Sequence, residues 1–296
     1  MSAELKSLLT SDFLQTFAEA IIPIGKQEQV ENFGDAISKA LFTSQGNLSR
    51  FEETTVAALK IISKYGLEHI PDWMHLLPPV EDSSFPAEAL GLQLVLDQGP
   101  RIFLKGIDQR WASGYFDDIA GKFALSLEAL DPDLRPSSWT RWKSSATVEY
   151  WILLRLFYGA PLVHNEKMAD LAVAFTDETR VVIEQHFNAR DPIRDQPEVR
   201  WDLLGFPKML KTGPPTGGCD TPTGGFWIQL LMDVHKPPLD RFGRYPYRNW
   251  VLGRSMSQEE EEWLEECDYF RSPPEEVLTK IHRDIAEGVW SPLGSG

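Results

Sequence analysis

The chain has 296 residues, 42% of them hydrophobic, which is enough apolar material for a real core in one large domain or two small ones. Its 29 basic residues face 44 acidic ones, and a formal charge of -15 repels phosphate backbones and anionic membranes, so no nucleic-acid and no membrane partner is expected. Cys219 and Cys267 are too few for a disulfide framework and lack zinc-site spacing; with no signal-peptide pattern and no apolar run of membrane-spanning length, a reducing, cytoplasmic compartment is expected. The sequon Asn47-Leu48-Ser49 would matter only on secretion.

Leu5, Leu8, Leu9, Phe13 and Phe17 recur at helical spacing up to Pro23 and Gly25, which predicts one amphipathic helix. A second is predicted from Asp35 to Phe42, and a third from Phe51 through Val56, Leu59 and Ile62 to Gly66. Pro71 to Pro86 is proline-rich and reads as a loop laid on the core. Ala87 to Gln98 puts Leu90, Gly91, Leu94 and Val95 on one face, and Gly99-Pro100 is expected to end it. Phe116, Ile119, Ala120, Phe123, Leu127 and Leu130 form another helical stripe, closed by Asp131-Pro132.

Val148 to Tyr158 is apolar nearly all round, which predicts a central helix whose charges, Glu149 and Arg155, must find partners. After Gly159-Ala160-Pro161, the run from Met168 to His186 keeps helical period, with Asn165 as its N-cap. From 188 to 225 the pattern disappears, and the Gly/Pro-rich tip from Thr212 to Gly225 reads as a lid, a binding loop or an insert. Helix resumes over Phe226 to Val234; Ser257-Gln-Glu-Glu260 is a capping-box pattern, and Ser272-Pro-Pro-Glu275 opens a last helix that Gly288 terminates. With no alternating strand pattern, the fold class is all-α. About ten helices in layered antiparallel pairs would form a tetratricopeptide-like bundle, a single domain over 1–296 with one long loop at 188–225.

Between these last helices lie Arg241, Arg244, Arg248 and Arg254, interleaved with aromatic rings. Gly243 and Pro246 prevent regular helix there, so the guanidinium groups are expected on turns that converge on acidic partners, buried near the centre of the molecule.

Three segments together resemble the helical, tetratricopeptide-like family catalogued as domain of unknown function 924. Its Leu-Asp-Gln-Phe-Pro-Arg-Asn motif is similar to Leu96-Asp97-Gln98-Gly99-Pro100-Arg101-Ile102, followed by Gly106 and Trp111-Ala112-Ser113. Its Pro-Leu-Met-His-Ser-Glu-Asp-Leu-Ala-Asp stretch is similar to the segment from Pro161 through His164, Asn165 and Glu166 to Asp170. The third motif, a histidine followed by Arg-Phe-Gly-Arg-Phe-Pro-His-Arg-Asn and Leu-Gly-Arg, resembles His235, Arg241 to Asn249 and Leu252 to Arg254. Gly99, Ile102, Lys167, Tyr247 and Pro237-Pro238 depart from the pattern, which implies a divergent member with a remodelled pocket. The resemblance implies the fold; no general activity comes with it.

If the motif segments converge, one cavity gathers Asp97, Arg101 and His164 as candidate catalytic residues. Trp111, Glu166, Asp170, His235, Arg241, Arg244, Tyr247 and Arg248 would then contact substrate. His164 ahead of a helix N-terminus would be held neutral, ready to accept a proton, or would simply be tied to a backbone carbonyl. Glu166 and Asp170, four apart, could share a proton or pair with arginine on one helical face, or complement the helix dipole. No zinc pattern, phosphate loop, flavin or haem motif is present, so no metal and no cofactor is expected.

These features suggest a cofactor-free, non-redox enzyme, of cyclase or pericyclase type, acting on a largely apolar small molecule in an aromatic pocket. Enclosure and a donor such as Arg101 would supply the catalysis. A helical-repeat module that binds a peptide or protein is the alternative, and a hydrolase or isomerase with His164 as base is the third reading. Nothing in the sequence sets the oligomeric state.

Overall fold

The computed structural model describes residues 2–43 and 48–295, and every regular element among them is helical. Asn47 of the sequon lies outside the described residues. The chain opens with α1 (Ala3–Leu8) and α2 (Ser11–Ile21), where the periodicity predicts one helix. The split arises at Thr10, whose Oγ1 accepts the Phe13 N–H at 3.2 Å and starts a new helix. Next come α3 (Phe33–Ser38), which runs on into a widened turn at Lys39–Thr43, and α4 (Glu52–Ile62).

Two expected breaks are not breaks. Helix α5 (Phe85–Phe103) runs through Pro100; then, after α6 (Asp117–Glu128), helix α7 (Val148–His164) runs through Pro161. An internal proline removes one helical hydrogen bond and costs about 3 kcal/mol in an isolated helix. Here the residues beyond each proline, Phe103 and Val163, are buried, and their packing offsets that cost.

Helix α8 (Ala169–Phe187) ends on Asn188 in the left-handed conformation, and the stretch from 188 to 225 is not the structureless loop that its composition suggests. Single turns at Pro192–Asp195 and Pro197–Arg200 lead into α9 (Gly205–Thr212), and α10 (Thr221–Asp233) begins inside the supposed tip. Asp220 caps α10, Pro222 sits in its first turn where no N–H is needed, and Gly224 and Gly225 serve close packing. A Cβ on Gly224 would lie 2.7 Å from Phe33, and one on Gly225 2.9 Å from Ile183. The stretch is also tied down at its start. Arg180 on α8 is fully buried and meets Asp191 at 2.6 Å and Asp233 at 2.7 Å, and Arg200 adds a 2.6 Å contact to Asp233. What stays irregular, 213–220, docks on α3, where the Cys219 carbonyl accepts the Phe33 N–H at 2.9 Å.

Helix α7 is the centre, buried along nearly its whole length and packed on α5, α6, α8 and α10. Both of its charges have partners, as the pattern requires. Glu149 accepts from Thr221 at 2.8 Å, while Arg155 reaches Glu178, Thr179 and the carbonyls of Ser137 and Phe175. The chain closes with α11 (Lys236–Phe242), α12 (Gln258–Glu266) with its capping box formed, and α13 (Glu275–Glu287) ended by Gly288 at φ 64°. No helix among the described residues is long and apolar enough to cross a membrane.

Candidate functional site

A cavity of about 700 Å³ opens where the C-terminal ends of α5 and α7 meet α9, α10 and the turn at Tyr247-Arg248. Its lining includes the apolar residues Ile102, Leu156, Phe157, Val163, Phe206 and Leu210. At the end of α5 and α7 it also carries Arg101 and His164, with His235 and Arg248.

Asp97 lies behind that end, 1% exposed, and organises it. Its Oδ1 is 2.8 Å from His164 Nδ1, its Oδ2 accepts from Gln98 at 2.6 Å, and Arg101 is bound both to its carboxylate and to its carbonyl. Burial pushes the Asp97 carboxyl upward, but its electrostatic interaction with His164 and Arg101 and the hydrogen bonds outweigh it and hold it at about 2, a range of pH in which His164 is itself protonated. An ionised Asp97 can only accept, so Nδ1 of His164 carries the proton. Nε2 keeps its lone pair on a ring that lines the cavity. A second carboxylate, Asp117, completes the cage. It takes Arg101 on one oxygen and Arg248 on the other, the latter at 2.8 Å, and Arg248 also donates to the His164 carbonyl at 2.8 Å.

The histidines are neutral. Burial lowers the pKa of His164 below its ordinary 6.5, Arg101 lowers it further, and Asp97 only partly opposes them. The expected cause was a helix N-terminus, and that is corrected here: His164 is the last residue of α7, where the dipole favours protonation. Asn165 likewise ends α7 and accepts from Lys167 N–H, and α8 starts only at Ala169 without a side-chain cap. His235 is pushed down to about 3, by burial first and then by His164; its Nδ1–H donates to the Leu231 carbonyl at 2.8 Å, and its ring lies 3.9 Å from that of Phe206.

Of the residues expected to converge, the structure brings together Asp97, Arg101, His164, His235, Tyr247 and Arg248. The others lie elsewhere. Trp111 donates to the Ser291 carbonyl at 3.2 Å and stands edge-on to Tyr115 and Trp290. Glu166 is in the turn between α7 and α8, not on a helical face with Asp170; Arg254 clamps it at 3.0 and 2.9 Å. Asp170 sits at the surface beside Lys236. Each arginine of the cluster does find a carboxylate, but they diverge: Arg241 pairs with Glu259 and Arg244 with Glu260, and only Arg248 is buried. The left-handed turns at Gly243 and Gly253 send successive guanidinium groups to different sides.

Sequence reasoning missed Asp117, Phe206 and Arg271, all of which bear on the cavity. Asp117 could have been found as an unexplained acid next to the Phe116 stripe. Arg271, outside every motif, gave no signal. Among the described residues no group of His, Cys, Asp and Glu could hold a metal ion.

The packed helices define an all-α protein with a cavity lined by apolar side chains and by Arg101, His164, His235 and Arg248. The chain belongs to the family described as "Bacterial protein of unknown function (DUF924)", whose model matches residues 49–268. No curated protein and no solved structure matches it.

Proposed function

We propose that the chain is a small-molecule enzyme, of isomerase or cyclase type, in which His164 moves a proton on a largely apolar substrate. The observation that carries this reading is the buried Asp97 carboxylate 2.8 Å from His164 Nδ1 on a ring that lines the cavity. That arrangement fixes the tautomer, aims a neutral Nε2 at bound substrate and stabilises the imidazolium formed when it takes a proton. It raises the histidine-base reading above catalysis by enclosure alone.

The step begins with abstraction of a proton from carbon next to a substrate carbonyl by Nε2. The electron pair moves to the carbonyl oxygen, where Arg101 faces the developing charge; as the carbonyl re-forms, a neighbouring carbon–carbon double bond shifts into conjugation with it and its far carbon takes the proton from the imidazolium, so no co-reactant is consumed. Among the described residues no serine, threonine or cysteine is hydrogen-bonded to His164, which favours direct proton transfer over a covalent intermediate. We place the enzyme in the cytosol, a reading supported by its unpaired thiols.

The test is proton exchange. Cell extract of the source organism is incubated with the protein in deuterium oxide, and small molecules that gain deuterium are followed by mass spectrometry. Wild type should label a discrete set, and His164→Ala should slow that labelling by about a hundredfold or more, the range for loss of a general base. Labelling that His164→Ala leaves untouched defeats the proposal.

A further inference from the structure

The cavity carries one positive charge too many. The carboxylates of Asp97 and Asp117 balance Arg101 and Arg248, and both histidines are neutral, yet Arg271 also lines the wall. Among the described residues Arg271 makes no ion pair and no hydrogen bond. Arg271 is exposed to solvent at the cavity, its guanidinium 5.7 Å from the centre of Phe206, 5.8 Å from Tyr247 and 5.4 Å from Phe270. Unlike the four arginines of the 241–254 segment, each of which has a carboxylate, this one is left open. Its backbone is also strained: Arg271 has φ 57°, a left-handed conformation that L side chains rarely adopt. A guanidinium on the cavity wall with no carboxylate of its own leaves its fork free for an anion that the chain itself does not supply.

We infer that the ligand of this cavity is an amphipathic monocarboxylate, its carboxylate taken by Arg271 and its hydrocarbon body laid along Leu156, Phe157, Phe206 and Leu210. The inference names the substrate class for the proton-transfer reading and rests on that reading for its catalytic meaning. The head group follows from charge matching, because the site has a single uncompensated positive charge, which a carboxylate cancels and a phosphate monoester, nearly dianionic at neutral pH, exceeds. The body follows from the wall. Phe42, 44% exposed despite its size, extends the apolar surface towards solvent.

The test is calorimetric titration of the full chain with decanoate, decyl phosphate and decanol, each below its aggregation limit. Decanoate should bind, and decanol, with the same tail and no charge, should bind at least about tenfold more weakly, the lower end for a lost hydrogen bond to a charged group. Arg271→Gln should weaken decanoate by a similar factor and leave decanol unchanged, while its unfolding temperature stays level or rises. Failure of decanoate to bind, equal binding of decanol, tighter binding of decyl phosphate, or an earlier-unfolding Arg271→Gln would each overturn the assignment. Binding is read without turnover, so the two proposals fail separately. Decanoate held by Arg271 with no deuterium exchange sinks the reaction alone, whereas exchange confined to neutral compounds sinks the ligand class alone.

Discussion

At the scale of single residues, the four arginines of the 241–254 segment show how little a shared motif says about shared energetics. Arg248 is 6% exposed in its side chain and binds Asp117 and the His164 carbonyl, whereas Arg241 and Glu259 are both more than half exposed. Removing one partner of a buried pair leaves a charge stranded, so Arg248→Met should cost about 3 kcal/mol or more, and Arg241→Met less than about 1 kcal/mol. Urea unfolding midpoints of the two variants check this; equal values would mean that the burial difference has no energetic meaning. Proton transfer makes a residue-scale prediction too. Because the pKa of His164 lies below 6.5, the exchange rate should be flat through neutrality and fall only as pH drops below that value and the base becomes protonated. A rate that already falls between pH about 8 and 7 would contradict a depressed His164.

The elements show where reading a sequence works and where it stops. The apolar stripe of α6, the all-round apolarity of α7 and the capping box of α12 were legible because each depends only on near neighbours in sequence. Of the site, Asp97, Arg101, His164, His235, Tyr247 and Arg248 were legible through motif resemblance, but Arg271 and the direction of the helix end at His164 depend on how distant segments dock. The glycines and prolines misled for a physical reason. Gly224, Gly225, Pro100 and Pro161 are breakers in isolation, and here they sit inside helices that tertiary packing stabilises. Gly91 is the sharpest instance of a glycine used for contact: a Cβ there would lie 2.1 Å from the Leu14 carbonyl oxygen, where α2 crosses α5. Gly91→Ala improves helix propensity by about 1 kcal/mol, yet it must push the two helices apart, so a net loss of roughly 2 kcal/mol or more is expected. Denaturant titration decides the sign, and a stabilised variant would show that the crossing can relax.

For the molecule as a whole, acid is the informative perturbation. His235, held at about 3 in the fold against 6.5 when unfolded, takes up its proton preferentially in the unfolded chain. Its contribution is therefore complete above pH 6.5 and is lost as pH falls towards 3, at about 1.4 kcal/mol per pH unit. Glu260, held at about 2 chiefly by Arg244, adds a second loss that starts near its ordinary value of 4.5. Stability measured by urea unfolding should decline already between pH about 6.5 and 5, and His235→Gln should make that first limb shallower, leaving the share of His164, without affecting the second. A wild-type curve level down to pH about 5 would contradict a neutral buried His235.

The outer edges of the family match carry a consequence for how such a site diversifies. Residues 49–268 contain His164, Asp97 and the paired arginines, while Leu41 and Phe42 come before that span and Arg271 to Pro274 after it. On the proposed reading the head-group contact thus lies outside that span, while the apolar wall of Leu156, Phe157, Phe206 and Leu210 lies within it. On that proposal, grafting a different 269–274 segment retargets the cavity to another head group and leaves Asp97 and His164 as they are.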